Sequence, residues 1–400
     1  MRHDLDLKRK NPWLRESVWD DEWEFNPDNH TPDVLYYMKH LCLKRPKFAV
    51  REENVFLDIH TKKAALMTSS SVVALLSYTG EQELTQCSGV IIENDDNNGH
   101  IILTSANLIR RPTEGEIMED NLADTLKVII YLYDGASHVG EVLAYDFHYN
   151  IAWIRFQSNS SLSVARLRQV DDCINVNPAE EKAFHLRPHS SHFNLVPGHA
   201  IVAVGRYFAK PWPLPVNSVL VAAILTVRSF SWGLARSQKS GEGGPLINLS
   251  GEVIGITFYE SGCTPFMPVN IALKCWEHYK RYGGLRRPSL GFVATNFYAA
   301  DLYLMEKVIQ KFPSICNGVL VEKVIQGSSA DSAGLHFNDV IVQCDGETVR
   351  SFLEIYGVDV GYVIRELHQN DPIYVNMVVD EVAVEKFNRW PAKRMMFGRK

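Results

Sequence analysis

Between residues 66 and 282 the chain alternates short runs of Val, Ile and Leu with clusters of Gly, Asn, Asp and Pro. Ser88–Ile92, His100–Thr104, Leu126–Tyr131, Ile151–Phe156, Ala200–Val204 and Val253–Ile256 are each short, rich in β-branched residues and bounded by turn formers, so they read as strands. Many short strands at such spacing predict a barrel or a sandwich. From Asn270 to Tyr282 the pattern is helical, and Gly283-Gly284 supplies the stop, which marks a domain boundary.

The flanks differ from this middle. Residues 1–60 lack clear periodicity except at Thr31–Cys42, where Thr31 can cap, Pro32 suits the first helical position, and Leu35, Met38 and Cys42 share a face. Trp13, Trp19, Trp23 and Phe25 are expected to pack on the next domain, an oligomer contact being the alternative. After Leu285-Arg286-Arg287-Pro288, strands at Gly318–Val324, Val340–Cys344 and Ile373–Val379 and a long helix over Phe352–His368 predict a smaller α/β unit. The expected organisation is an N-terminal extension with a short helix (1–65), a barrel region (66–284), the smaller unit (289–382) and a basic tail (383–400).

Charge and cysteine usage remove several function classes. A net charge of −6 offers no broad cationic field for phosphates, so nucleic acid is not an expected partner. Seven scattered cysteines without a C-x-x-C pair argue against both a disulfide framework and a zinc site, and neither metal nor cofactor is expected. The longest apolar run, Val219–Leu225, is too short to span a bilayer. The first thirty residues lack the features of a secretory signal, so a soluble intracellular protein is expected, in cytoplasm or nucleus, with an organelle left open.

The most specific segment is Ser240-Gly241-Glu242-Gly243-Gly244-Pro245-Leu246, with a short turn and the strand Val253–Ile256 after it. It resembles the G-N-S-G-G-P-L nucleophile loop of trypsin-like proteases, and most closely that of the HtrA (Deg, or protease Do) family. Ile102–Ile109 resembles the segment that delivers the family's catalytic histidine, and Tyr145–Ala152 the one that delivers its aspartate, in the same chain order. The resemblance implies a mainly β fold, a trypsin-like double β-barrel followed by a small α/β PDZ domain. It also implies that Ser240, Gly241 and Glu242 form the oxyanion loop.

Under this alignment the histidine position holds Asn107, the aspartate position Asn150 and the serine position Glu242. Amide hydrolysis by this route needs a hydroxyl nucleophile, a base that accepts its proton near working pH, and an anion that orients the base. A carboxamide accepts no proton near neutrality, and Glu242 brings a carboxylate where the oxyanion would form. Glu242 is expected either to fold back on the loop donors or a nearby cation, or to be a solvated loop residue. His100, His148 and Asp146 are neighbours of the lost positions and read as ordinary structural residues.

In the smaller unit, Gly318–Val321, Gly327–Ala330, Ala333–Leu335, Asn338–Ile341 and Asp345-Gly346 resemble the PDZ domain of HtrA proteins. Asn338 replaces a customary Gly, and Asn tolerates the left-handed turn. Leu290-Gly291-Phe292 resembles the loop that presents backbone N–H groups to a peptide carboxylate, the peptide then adding as a strand; the bland alternative is that Leu290 and Phe292 fill the core. The expected function is polypeptide binding by a catalytically inactive homologue, with polypeptides or protein C-termini as partners and a homo- or hetero-oligomer, a trimer by resemblance. The alternatives are an active endopeptidase with a relocated site and a regulatory subunit of active relatives.

Overall fold

The computed structural model describes residues 57–95, 99–111, 122–179, 191–207, 219–229, 232–234, 241–258, 264–285, 287–344, 346–355, 362–365, 373–376 and 380–382. The Thr31–Cys42 helix, the aromatic cluster at 13–25, Ser240 and the basic tail lie outside them.

Helix α1, Ile59–Ser69, begins where the Asp58 carboxylate accepts from the N–H groups of His60 (2.8 Å) and Thr61 (3.0 Å), satisfying first-turn donors. It buries Thr61, Ala64, Ala65 and Thr68, and Thr68 Oγ1 donates to Gly251 O (2.9 Å). This helix runs through residue 65 and was not among the expected elements.

Six antiparallel strands follow: β1 Val72–Thr79, β2 Gln82–Asn94, β3 Gly99–Ser105, β4 Leu126–Tyr131, β5 Ser137–Asp146 and β6 Ile151–Gln157. They close in the order β1-β2-β3-β6-β5-β4, which leaves no unpaired edge. Alternate side chains, among them Leu75, Ile91, Ile102, Ile130 and Ile154, fill the interior. A strap carrying the short parallel pair β7 Val170–Asp171 and β8 Phe193–Asn194 leads to a second closed barrel. Its strands are β9 Ala200–Tyr207, β10 Val219–Ser229, β11 Trp232–Leu234, β12 Pro245–Ile247, β13 Val253–Thr257 and β14 Thr264–Pro268, in the order β10-β11-β14-β13-β12-β9. Every strand read from the apolar runs of residues 88–256 lies in one of these barrels.

Arg206 of β9 pins the second barrel to the first. Its Nε donates to Val72 O and its Nη2 to Ser69 O, both at 2.7 Å, while its backbone N–H and C=O bracket the Ser88 hydroxyl at 2.9 and 3.0 Å. Burial lowers the guanidinium from its ordinary value, but carbonyl acceptors compensate the charge. Helix α2, Val269–Tyr282, then packs Trp276 on Trp153 (ring centroids 5.7 Å apart) and ends in a left-handed Gly283.

The remainder contains β15 Arg287–Ser289, β16 Phe292–Asn296, α3 Leu302–Lys311, β17 Val319–Val324, α4 Ser329–Ser332, β18 Val340–Ile341, β19 Gln343–Cys344, β20 Glu347–Thr348, α5 Phe352–Ile355, β21 Tyr362–Arg365, β22 Ile373–Asn376 and β23 Asp380–Val382. β16, β17 and β18 form one antiparallel sheet, with β16 at its edge. The expected strand at 340–344 is split, its two halves pairing with different partners.

The long helix expected at Phe352–His368 is a correction: among its described residues Phe352–Ile355 is a helical turn, and Tyr362–Arg365 is a strand paired with Ile373–Asn376. The apolar run of 352–364 satisfies a helical period and a strand period alike, and Gly357, Gly361 and the β-branched Val358, Val360, Val363 and Ile364 disfavour a helix. Asn338 takes the left-handed conformation expected of it (φ 68°).

Candidate functional site

The residues 241–244 lie in the seam between the barrels, where an added Cβ meets open space at Gly241 but backbone at Gly243 and Gly244. A Cβ on Gly205 would lie 2.8 Å from Gly241 Cα, and one on Gly244 2.3 Å from Val204 O. Gly243 has φ 78°, and its Cβ would come within 2.6 Å of Ser105 N and Ser88 O. Hydrogen bonds fix the same loop from both sides: Ser88 N–H donates to Glu242 O (2.7 Å), Gly243 N–H to Thr257 O (2.8 Å), and Thr257 Oγ1 faces the carbonyls of Gly241 (3.1 Å) and Gly244 (3.0 Å).

This loop carries the Glu242 side chain into the first barrel's rim. Glu242 is buried, and its carboxylate accepts from Asn107 Nδ2. Ser105 Oγ lies 3.0 Å from Glu242 Oε1 and 3.0 Å from Asn150 Oδ1. With one proton the hydroxyl donates to one of them at a time. Ser105 also receives the Asn107 N–H (3.1 Å), capping the single 3-10 turn Ala106–Leu108 that follows β3.

Asn150 supports that turn. It ends the β5–β6 connection at φ 54°, a conformation Asn tolerates better than most residues, and its carbonyl accepts from Ala106 N–H at 3.0 Å. Its Oδ1 also accepts from Asn107 N–H (3.1 Å). Asn107, Asn150 and Glu242 therefore meet in one cluster. The hydroxyl at its centre is Ser105, wholly buried and faced by a carboxylate and a carboxamide. Of the expected orientations for Glu242, the structure has neither bulk solvent nor, among the described residues, the loop donors, but the opposite barrel. The one residue that sequence reasoning missed here is Ser105, whose legible signal is a cap-forming Ser two positions before Asn107.

Comparison with known proteins follows from this geometry. Residues 87–256 match the family model of the trypsin-like peptidase domain. A protease Do-like protein of Arabidopsis thaliana is 26% identical over 318 residues, covering 74% of this chain and 64% of its own. Serine protease HTRA2 of Bos taurus is 25% identical over 312 residues, covering 76% and 61%. The chain is a homologue of HtrA/Do-like serine proteases. Among solved structures, the HtrA-type protease AlgW shares the fold at a TM-score of 0.50 and 16% identity, over 81% of this chain and 97% of that one. The HtrA-like chain spans about half to two thirds of the length of the curated relatives it matches.

The neighbouring titratable residues have structural tasks. Asp146 is buried and accepts from the N–H groups of His148 (2.8 Å) and Tyr149 (3.0 Å), closing a turn. His148 packs on Tyr149 (4.7 Å between centroids). His100 is buried against Phe156, with Nδ1 2.7 Å from Asn94 Oδ1, and burial holds its imidazole below the ordinary value. Among the described residues no group of three or more His, Cys, Asp or Glu is arranged to hold a metal, and no helix is long and apolar enough to cross a membrane.

In the C-terminal unit Gly291 has φ 71° and lies against Ser328, whose Cβ would be 2.6 Å from an added methyl. Gly291 O accepts from Ile325 N–H (2.9 Å) and Ser328 Oγ (3.1 Å), and Phe292 and Leu290 pack into the local core.

Proposed function

We propose that this chain is a catalytically inactive HtrA-like homologue that binds polypeptides. The observation that supports inactivity is the hydrogen-bonded cluster of Glu242, Asn107, Ser105 and Asn150. A carboxylate occupies the loop position from which a nucleophile would attack, and neither Asn can take a proton from a hydroxyl. Ser105 caps a turn and has no exposed surface, so substrate does not reach it.

Binding is assigned to a PDZ-like groove in the C-terminal unit. β16 has β17 on one side and is the edge of its sheet, an edge that an extended peptide can join. The Leu290-Gly291-Phe292 turn stands at the start of that edge, and its left-handed glycine lets a terminal carboxylate approach the backbone closely. The core contacts of Leu290 and Phe292 hold the turn in place.

Two measurements test this reading. A casein digestion is expected to show no cleavage above a mock purification; cleavage that disappears in Glu242→Ala would overturn inactivity. The triple variant Asn107→His, Asn150→Asp, Glu242→Ser is expected to gain ester hydrolysis. Calorimetric titration with a library of C-terminal peptides is expected to find binders that Gly291→Val abolishes, and silence across the library would refute the groove.

A further inference from the structure

A second buried carboxyl lies where the strap between the barrels passes under the C-terminal unit. Asp172, next to β7, is buried. Three hydrogen bonds tie its segment to that unit: Asn296 Nδ2 to Asp172 Oδ2 (2.6 Å), Cys173 Sγ to Glu354 Oε1 (3.3 Å), and Val176 N–H to Cys316 O (2.9 Å). Asn296 ends β16, and its Oδ1 accepts from the N–H of Phe352, the first residue of α5 (2.5 Å). One carboxamide thus carries both β16 and α5 onto Asp172. Leu353 follows and packs in the core cluster of the second barrel.

The charged groups around Asp172 do not neutralise it. Its own segment brings Asp171 and Cys173; the C-terminal unit brings Arg350 and Glu354, which pair with each other (2.7 Å); α2 brings Lys274, and His192 lies beside β8. All line one cavity of about 590 Å³. Ser351 Oγ is fully buried and faces the same carboxyl.

We propose that Asp172 is a proton-operated latch, which in its neutral form holds the C-terminal unit on the second barrel and in its charged form loosens that contact. The sign follows from burial, which raises the carboxyl from 3.8 to about 6 against the opposing hydrogen bonds of Ser351 and Asn296. Opening returns the group to water and to its ordinary value. The docked state is therefore favoured at low pH, and the advantage is lost as pH rises through about 6. The latch is independent of what the groove binds.

Hydrogen exchange of the Val176 and Phe352 amides, corrected for the pH dependence of the chemical step, tests it on the full chain at pH 5 and pH 8. Protection is expected to be about tenfold or more greater at pH 5, while that of Ile102 in the first barrel stays level. In Asp172→Asn the two pH values should give the same protection. Equal wild-type protection at both, or a pH dependence that persists in Asp172→Asn, overturns the proposal. Should that variant fail to fold, Ser351→Ala decides: it removes a hydrogen bond that opposes the upward shift, so a larger pH dependence supports the latch and an unchanged or reduced one overturns it.

Discussion

The seam between the two barrels and the seam between the second barrel and the C-terminal unit each bury a carboxyl among amides and hydroxyls, yet they are built differently. At the first, Glu242 sits on a loop whose Gly243 and Gly244 lie hard against backbone and whose main chain is bonded to both barrels. At the second, Asp172 is held chiefly by a single carboxamide beside a cavity. Steric packing leaves the first seam one arrangement, whereas the second rests on hydrogen bonds whose strength depends on a proton. A buried carboxyl is thus a fixture in one place and a switch in the other.

The comparison can be broken most forcefully at Gly243. Gly243→Ala forces a left-handed Ala and places its methyl against backbone atoms of Ser88 and Ser105, so a loss of roughly 3 kcal/mol or more is expected in urea denaturation. A variant of wild-type stability would mean that the loop has room to relax. Next, Asp172→Asn should leave stability nearly unchanged at pH 4. At pH 7.5 it should raise it by up to about 3 kcal/mol, because the wild type alone loses the advantage of its raised carboxyl above about 6. A variant-minus-wild-type difference that is flat with pH would remove the distinction between the seams.

Glu242→Ala leaves Asn107 Nδ2 without this acceptor and Ser105 with Asn150 Oδ1 alone, and should cost about 1 to 3 kcal/mol while the pH dependence at Val176 stays as in the wild type. In that background Asn107→Ala should cost less than it does alone, the signature of a shared interaction in a double-mutant cycle. The smallest effect is expected at Cys173→Ser. The Cys173 thiol is a weak donor to Glu354, and burial pushes it well above its ordinary range, so less than about 1 kcal/mol should change. A larger loss would place the second seam's hold at Cys173 instead of Asp172.

Several elements were legible before the fold was known because their signal is local. The barrel strands announce themselves by β-branched runs between turn formers, and α2 by its period and Gly283. Helices α1 and α3 were missed although Asp58 and Asp301 cap them from the position just before the first turn; α1 has almost no helical period, whereas α3 carries one, with Leu304 and Val308 on its buried face. The segment after Phe352 was misread because its apolar spacing fits two periods, and only pairing with Ile373–Asn376 selects the strand.

The sequence by itself determined that the positions resembling the family's base, orienter and nucleophile hold Asn107, Asn150 and Glu242 in place of His, Asp and Ser. Only the tertiary structure decided where the Glu242 carboxylate points, that Ser105 shares its cluster, and that Asp172, Asn296 and Ser351 meet. The last three are separated by 124 and 55 positions along the chain, and no local pattern encodes contacts made by closing two barrels and docking a third unit on them.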